Sequence, residues 1–175
     1  MKNLFILIAM INVCLVGHAR GAQDEINPTV FSQLKAEYHL TDAQTYELLG
    51  KAYLRQNKDA EAEVYFKKAV NLDHTLYLSW YDLGLLHMGS PEYYFKEAIK
   101  ANPKFPAVHY WLGSFYCKVK RTKESIECFG KFLQVVDTND PQEKDRIKTA
   151  KCFIRELEAG NDDYISIIGK ALSKE

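Results

Sequence analysis

Apolar residues recur at helical spacing along most of the chain, with polar residues between them. Between 43 and 137 this pattern occurs as successive pairs of segments, separated by short turns that contain Gly, Pro or Asn. Apolar positions three and four residues apart are typical of helices that bury one face. The pattern therefore predicts an all-α protein built from helix pairs.

Three Leu-Gly pairs mark an internal repeat, at Leu49-Gly50, Leu83-Gly84 and Leu112-Gly113. Each pair lies among aromatic residues and precedes a second segment in which an aromatic residue is followed, three positions later, by a smaller or apolar one. The first two pairs are 34 residues apart, a period typical of helical-hairpin repeats. The repeat-defining residues are Gly50, Tyr53, Ala62, Phe66, Ala69, Trp80, Gly84, Phe95, Ala98, Pro103, Gly113, Tyr116 and Phe129.

These residues resemble the tetratricopeptide repeat family, a stack of antiparallel helix pairs. The resemblance covers 43–137 and implies three hairpins, at 43–76, 77–105 and 106–137. It implies a right-handed α-solenoid with capping helices at both ends. In this family a small residue lies where the two helices cross, because close backbones leave no room for a side chain. Gly50 and Ala62 are expected to meet there, with Tyr53 filling the space below.

Two of the hairpins depart from the family pattern. The second is five residues short between its helices, at 88–91, and His87 stands where the family prefers Tyr. Ser90 is predicted to be an N-cap and Pro91 the first residue of a short helix that ends at Ala101. In the third hairpin Ser125 replaces the usual alanine, and Phe132 is larger than expected.

Helical patterns also flank the repeats, at 20–42 and 138–175. A short helix is predicted after Asn27-Pro28, where it could cover the first repeat. A longer one follows Asp140-Pro141 and ends at Gly160, with a charged outer face that suits a terminal cap. After an Asp162-Asp163 cap, a last amphipathic stretch either packs on the stack or binds a partner. Packing is the favoured alternative.

The first 19 residues have the order of a secretory signal peptide: Lys2, the apolar stretch 4–16, and small residues at Gly17 and Ala19. Cleavage is expected after Ala19, with Gly21 or Ala22 as the near alternatives, and an uncleaved anchor is the other interpretation. Lipidation at Cys14 is disfavoured because Val13 precedes it. The protein is therefore expected to be exported, to a periplasmic or secreted location, without inserting in a membrane after cleavage.

The charge of the chain and its lack of catalytic motifs reduce the number of functions that the sequence supports. The chain has 175 residues, 47% hydrophobic, with 23 basic and 23 acidic side chains. Because binding to phosphate backbones needs a basic excess, nucleic acid is not an expected partner. No nucleophile with a base, paired carboxylates in a cleft context or glycine-rich phosphate loop occurs, so we predict no enzyme and no cofactor.

A metal site made from cysteine and histidine is also not expected, because no ligands have close spacing. Cys117, Cys128 and Cys152 remain after signal cleavage. An odd number leaves at least one thiol unpaired. Whether any two are joined stays open, and burial of all three as core residues is the favoured interpretation.

In the tetratricopeptide family the first helices line a concave groove that holds a peptide or a partner helix. The resemblance places ten residues there: Lys51, Leu54, Arg55, Leu78, Tyr81, Leu85, Met88, Tyr110, Ser114 and Lys118. Its centre is apolar and aromatic, and its ends are basic. The alternative is that a terminal helix already fills this groove. Binding of a partner's C-terminal carboxylate is rejected, because the Lys and Asn constellation for it is missing.

The predicted function is a non-catalytic protein–protein interaction scaffold that binds an extended or helical segment of another protein. The alternative is a structural or assembly subunit of an envelope or secretory complex. In that case the ends of the helical stack would associate, through the helix at 162–175, with a partner or with another copy.

Overall fold

The structure, a computed structural model, describes residues 27–173. All regular elements in this range are helices: α1 (Pro28–Tyr38), α2 (Asp42–Leu54), α3 (Asp59–Leu72), α4 (Tyr77–Leu86), α5 (Glu92–Ala101), α6 (Pro106–Lys118), α7 (Thr122–Val135), α8 (Lys144–Glu158) and α9 (Tyr164–Leu172). They form two compact units, which divide between Ser79 and Trp80. The predicted signal peptide and its cleavage site lie outside the described residues.

In the first unit, local hydrogen bonds fix where α1 and α2 begin. The Thr29 amide donates to Oδ1 of Asn27 over 2.9 Å, and Pro28 is the first helical residue, as predicted. Thr41 and Gln44 form a reciprocal capping box at the start of α2. Each cap satisfies amide groups that the first helical turn leaves without partners.

The α2–α3 hairpin of the first unit is closed by aromatic stacking. The rings of Tyr53 and Tyr65 are nearly parallel with centroids 5.1 Å apart, and both side chains are buried. Phe31 of α1 packs on Tyr46 of α2 at 4.9 Å. Helix α1 therefore covers the first hairpin, in agreement with the predicted capping helix.

A phenyl ring explains the glycine at each hairpin crossing. A Cβ atom on Gly50 would lie 2.7 Å from the ring of Phe66. The corresponding distance is 2.3 Å between Gly84 and Phe95. The sequence paired Gly50 with Ala62, but the Phe66 ring is the group that demands the glycine. Contacts below 3.0 Å would force the buried ring to move.

In the second unit, the α4–α5 hairpin is short because its tip is missing. Helices α4 and α5 have 10 residues each, whereas the first hairpin has helices of 13 and 14. Helix α5 begins at Glu92, and Pro91 is its N-cap without a side-chain hydrogen bond. The prediction of Ser90 as the N-cap was therefore wrong by one position. Pro91 is buried four residues before Phe95, the position that Ala62 holds before Phe66.

The α6–α7 hairpin accommodates both of its departures from the family pattern. Ser125 is fully buried, and its hydroxyl donates to the Gly113 carbonyl over 2.9 Å. The polar atom thus has the partner that burial requires. Phe132 is also fully buried, in the core that α7 shares with the C-terminal helices.

Helices α8 and α9 form a further antiparallel hairpin. The Cys152 thiol lies 3.9 Å from the Ile167 carbonyl, and Nζ of Lys148 donates to the Ser173 carbonyl over 3.1 Å. Phe153 of α8 stacks on Phe129 at 4.8 Å. Since Ile167 is fully buried, the last amphipathic stretch packs on the protein, the alternative that the sequence favoured.

Short polar contacts hold the start of α9. Oδ1 of Asp163 accepts from the Ile165 amide over 3.1 Å and caps the helix. Asp162 instead pairs with Lys120 at 2.6 Å. The predicted Asp162-Asp163 cap is thus supplied by Asp163 alone. Across residues 27–173, no helix is long and apolar enough to cross a membrane.

Candidate partner-binding surface

In the first unit, the predicted surface residues lie on α2 and at the start of α4. Arg55 is exposed, while Lys51, Leu54 and Leu78 are half-buried. The Lys51 ammonium forms an ion pair with Glu47 one helical turn away. The other oxygen of Glu47 accepts a hydrogen bond from Ser79 over 3.0 Å. A partner would therefore meet a fixed carboxylate–ammonium pair beside Leu54 and the exposed cation of Arg55.

In the second unit, Leu85 and Met88 are half-buried and lie towards the tip of the short hairpin. Helix α4 ends at Leu86, so Met88 stands in the turn and not on the helix. Leucine and methionine side chains that stay partly accessible supply adaptable apolar contact area.

Tyr81 is held by the core of the second unit. Its ring packs against Phe95 at 6.0 Å and edge-on against Phe105 at 5.0 Å. Burial raises the pKa of the Tyr81 phenol above its usual value, and a side-chain hydrogen bond with Trp111 opposes that shift. Only part of this residue is left to contact a partner, because the ring is already packed.

Tyr110 is anchored in the same way and also contacts α8. Its ring lies 5.7 Å from Phe129 and 5.4 Å from Phe132. Burial raises the pKa of its phenol, whereas a hydrogen bond with Thr149 and the charge of Arg146 lower it. The Arg146 guanidinium lies 6.0 Å from the ring centroid.

The C-terminal hairpin contacts the third-repeat part of the predicted groove at Lys118, which is exposed. Ser114 is buried, at 3% exposure, whereas the resemblance placed it on the surface of the groove. Nζ of Lys118 lies 4.8 Å from the ring centroid of Tyr164, the first residue of α9. Helix α9 therefore touches one of the ten predicted groove residues. Among the predicted groove residues of this unit, Leu85 and Met88 are half-buried apolar side chains.

Sequence reasoning missed the side chains that hold Tyr110 from α8. Arg146 belongs to the charged outer face predicted for this helix, and Thr149 was not singled out. Residues 146, 149, 150 and 153 follow helical spacing, so this face of α8 could have been found from its period. The charged Arg146 within that face hid the pattern.

The three described cysteines are free thiols. Burial raises the pKa of Cys128 to about 12 and that of Cys117 to about 11. A thiol with such a pKa holds little nucleophilic thiolate at neutral pH. Cys117 and Cys152 are buried and Cys128 is half-buried, which fits a packing role. Within residues 27–173, His, Cys, Asp and Glu form no group of three or more that could hold a metal ion.

Comparison with known proteins gives a repeat family and a fold. Residues 43–74 match the family model described as "Tetratricopeptide repeat". Two solved structures are similar, titled "Crystal structure of MamA" and "Crystal structure of MamA protein". The first has 21% identity over 82% of this chain and 84% of that chain, with a TM-score of 0.59. The second has 23% identity over 82% and 78%, with a TM-score of 0.58. No curated protein sequence matches the chain.

These matches confirm the predicted resemblance to the tetratricopeptide repeat and the predicted all-helical repeat fold. The repeat match lies on the first hairpin, which follows the family pattern most closely. Repeat and fold together support a protein-interaction scaffold in general terms. At identities below 25%, the two solved structures bear on the fold alone.

Proposed function

We propose that this protein, which carries a tetratricopeptide repeat at residues 43–74, is a non-catalytic scaffold that binds an extended or helical segment of another protein. The repeat match is the observation that carries the proposal. Repeats of this kind are typically non-catalytic, and protein binding is their usual role.

The proposed contacts come from the first helices of the repeats and the residues that directly follow them. In the first unit, Leu54 and Arg55 offer an apolar side chain beside an exposed cation. In the second unit, Leu85 and Met88 offer apolar area next to the packed ring of Tyr81. An apolar segment with an acidic flank complements Leu54 and Arg55, and an apolar segment complements Leu85 and Met88.

Charge reversal tests the surface without disturbing the core. Arg55→Glu should weaken partner capture from an extract of the exporting compartment, because an exposed cation becomes an anion. Lys123→Glu is the matched control, since Lys123 is exposed on α7, outside the proposed surface. Equal capture by the two variants would argue against the surface. Met88→Lys tests the apolar part by the same measurement.

We also propose that the protein is exported, on the basis of the charged, apolar and small-residue order of 1–19. N-terminal sequencing of the processed chain should begin at Arg20, or a few residues later for the alternative cleavage sites. A chain that keeps Met1 after fractionation would contradict cleavage.

A further inference from the structure

We draw no further inference here: the strongest candidate, the outer apolar face of α9 where Ile165 and Leu172 are 75% and 71% exposed, carries no proposal because nothing in the described part of the chain shows what covers it.

Discussion

At the scale of single residues, the glycine at each hairpin crossing is set by one neighbouring ring. A Cβ would approach the ring at 2.3 Å on Gly84, 2.7 Å on Gly50 and 3.2 Å on Gly113. Alanine is the better helix former by about 1 kcal/mol. Forcing a methyl group into a packed core costs roughly 1–3 kcal/mol. The balance between the gain in helix propensity and the cost of strain should therefore change from Gly84 through Gly50 to Gly113.

We predict that Gly84→Ala destabilises the protein by up to roughly 2 kcal/mol, the difference between strain and helix propensity. Gly113→Ala should be nearly neutral, because 3.2 Å demands only a small adjustment of the Phe129 ring. Urea denaturation measures both. Gly169→Ala on exposed α9 is the control for helix propensity alone and should stabilise slightly. Equal losses at Gly84 and Gly113 would show that ring distance is not the cause.

The cysteines give a second prediction at this scale. Burial raises the pKa of Cys117 and Cys128 to about 11 and about 12, so the thiols stay protonated up to strongly alkaline pH. Ellman's reagent at pH 8 should therefore react slowly with the native protein and rapidly after denaturation in urea. Mass spectrometry should find no internal disulfide in the purified protein. Rapid native reaction at Cys128 would contradict its protection.

At the scale of elements, α5 is tied to the next hairpin through Glu92. Its carboxylate accepts from the Tyr116 hydroxyl over 2.9 Å and from Arg121 over 2.7 Å. The hydrogen bond from Lys96 is the largest cause that lowers the Glu92 pKa, and Tyr116 adds to it. A lowered folded-state pKa means that this stabilisation is present above the unfolded pKa near 4.5 and is lost as pH falls below it.

Glu92→Gln should therefore lower the unfolding free energy at pH 7, and its difference from the unsubstituted chain should shrink at pH 3. Urea denaturation at both pH values measures this. Glu97→Gln is the matched control on α5, because Glu97 forms an ion pair with Lys100 in the same helix. If the difference in unfolding free energy between Glu92→Gln and the unsubstituted chain stays constant with pH, Glu92 acts through shape rather than charge.

Local spacing was enough to predict most of these elements. The Leu-Gly pairs and the phenylalanines that follow located the hairpins, because a helix crossing needs a small residue beside a large one. Asn27-Pro28 located the start of α1, because caps depend on neighbouring residues alone. Pro91 shows the limit. Its place before Phe95 is set by packing, so the cap rule alone put the start of α5 one residue early.

The candidate surface was less predictable for the same physical reason. Leu85 and Met88 stay accessible, but Ser114 is buried and Lys118 lies on Tyr164. The contact between Lys118 and Tyr164 requires α9 to fold back over more than 40 residues of sequence. Such a contact leaves no trace in the spacing of α6. The family resemblance assigned both residues to a groove, whereas Ser114 is buried in the structure.

At the scale of the whole molecule, the C-terminal hairpin belongs to the core of the second unit. Phe129, Phe132, Ala150, Phe153 and Ile167 form one buried cluster. Both tryptophans, Trp80 and Trp111, lie in this unit, so their fluorescence reports its unfolding. A helix that closes a core cannot be removed without loss of stability.

Deletion of 162–175 should therefore lower the unfolding free energy of the second unit by at least about 2 kcal/mol, the usual cost of losing one large buried aliphatic side chain. Thermal denaturation followed by tryptophan fluorescence measures this, and increased binding of a hydrophobic dye would report the uncovered Phe153. Leu172→Glu changes only the exposed face and should keep the native transition temperature. If the deletion also keeps it, α9 is not part of the core. If the deletion lowers the transition temperature, a loss of self-association on deletion cannot be assigned to an interface, because the core is also disturbed. The substitution at Leu172 is then the experiment that separates folding from assembly.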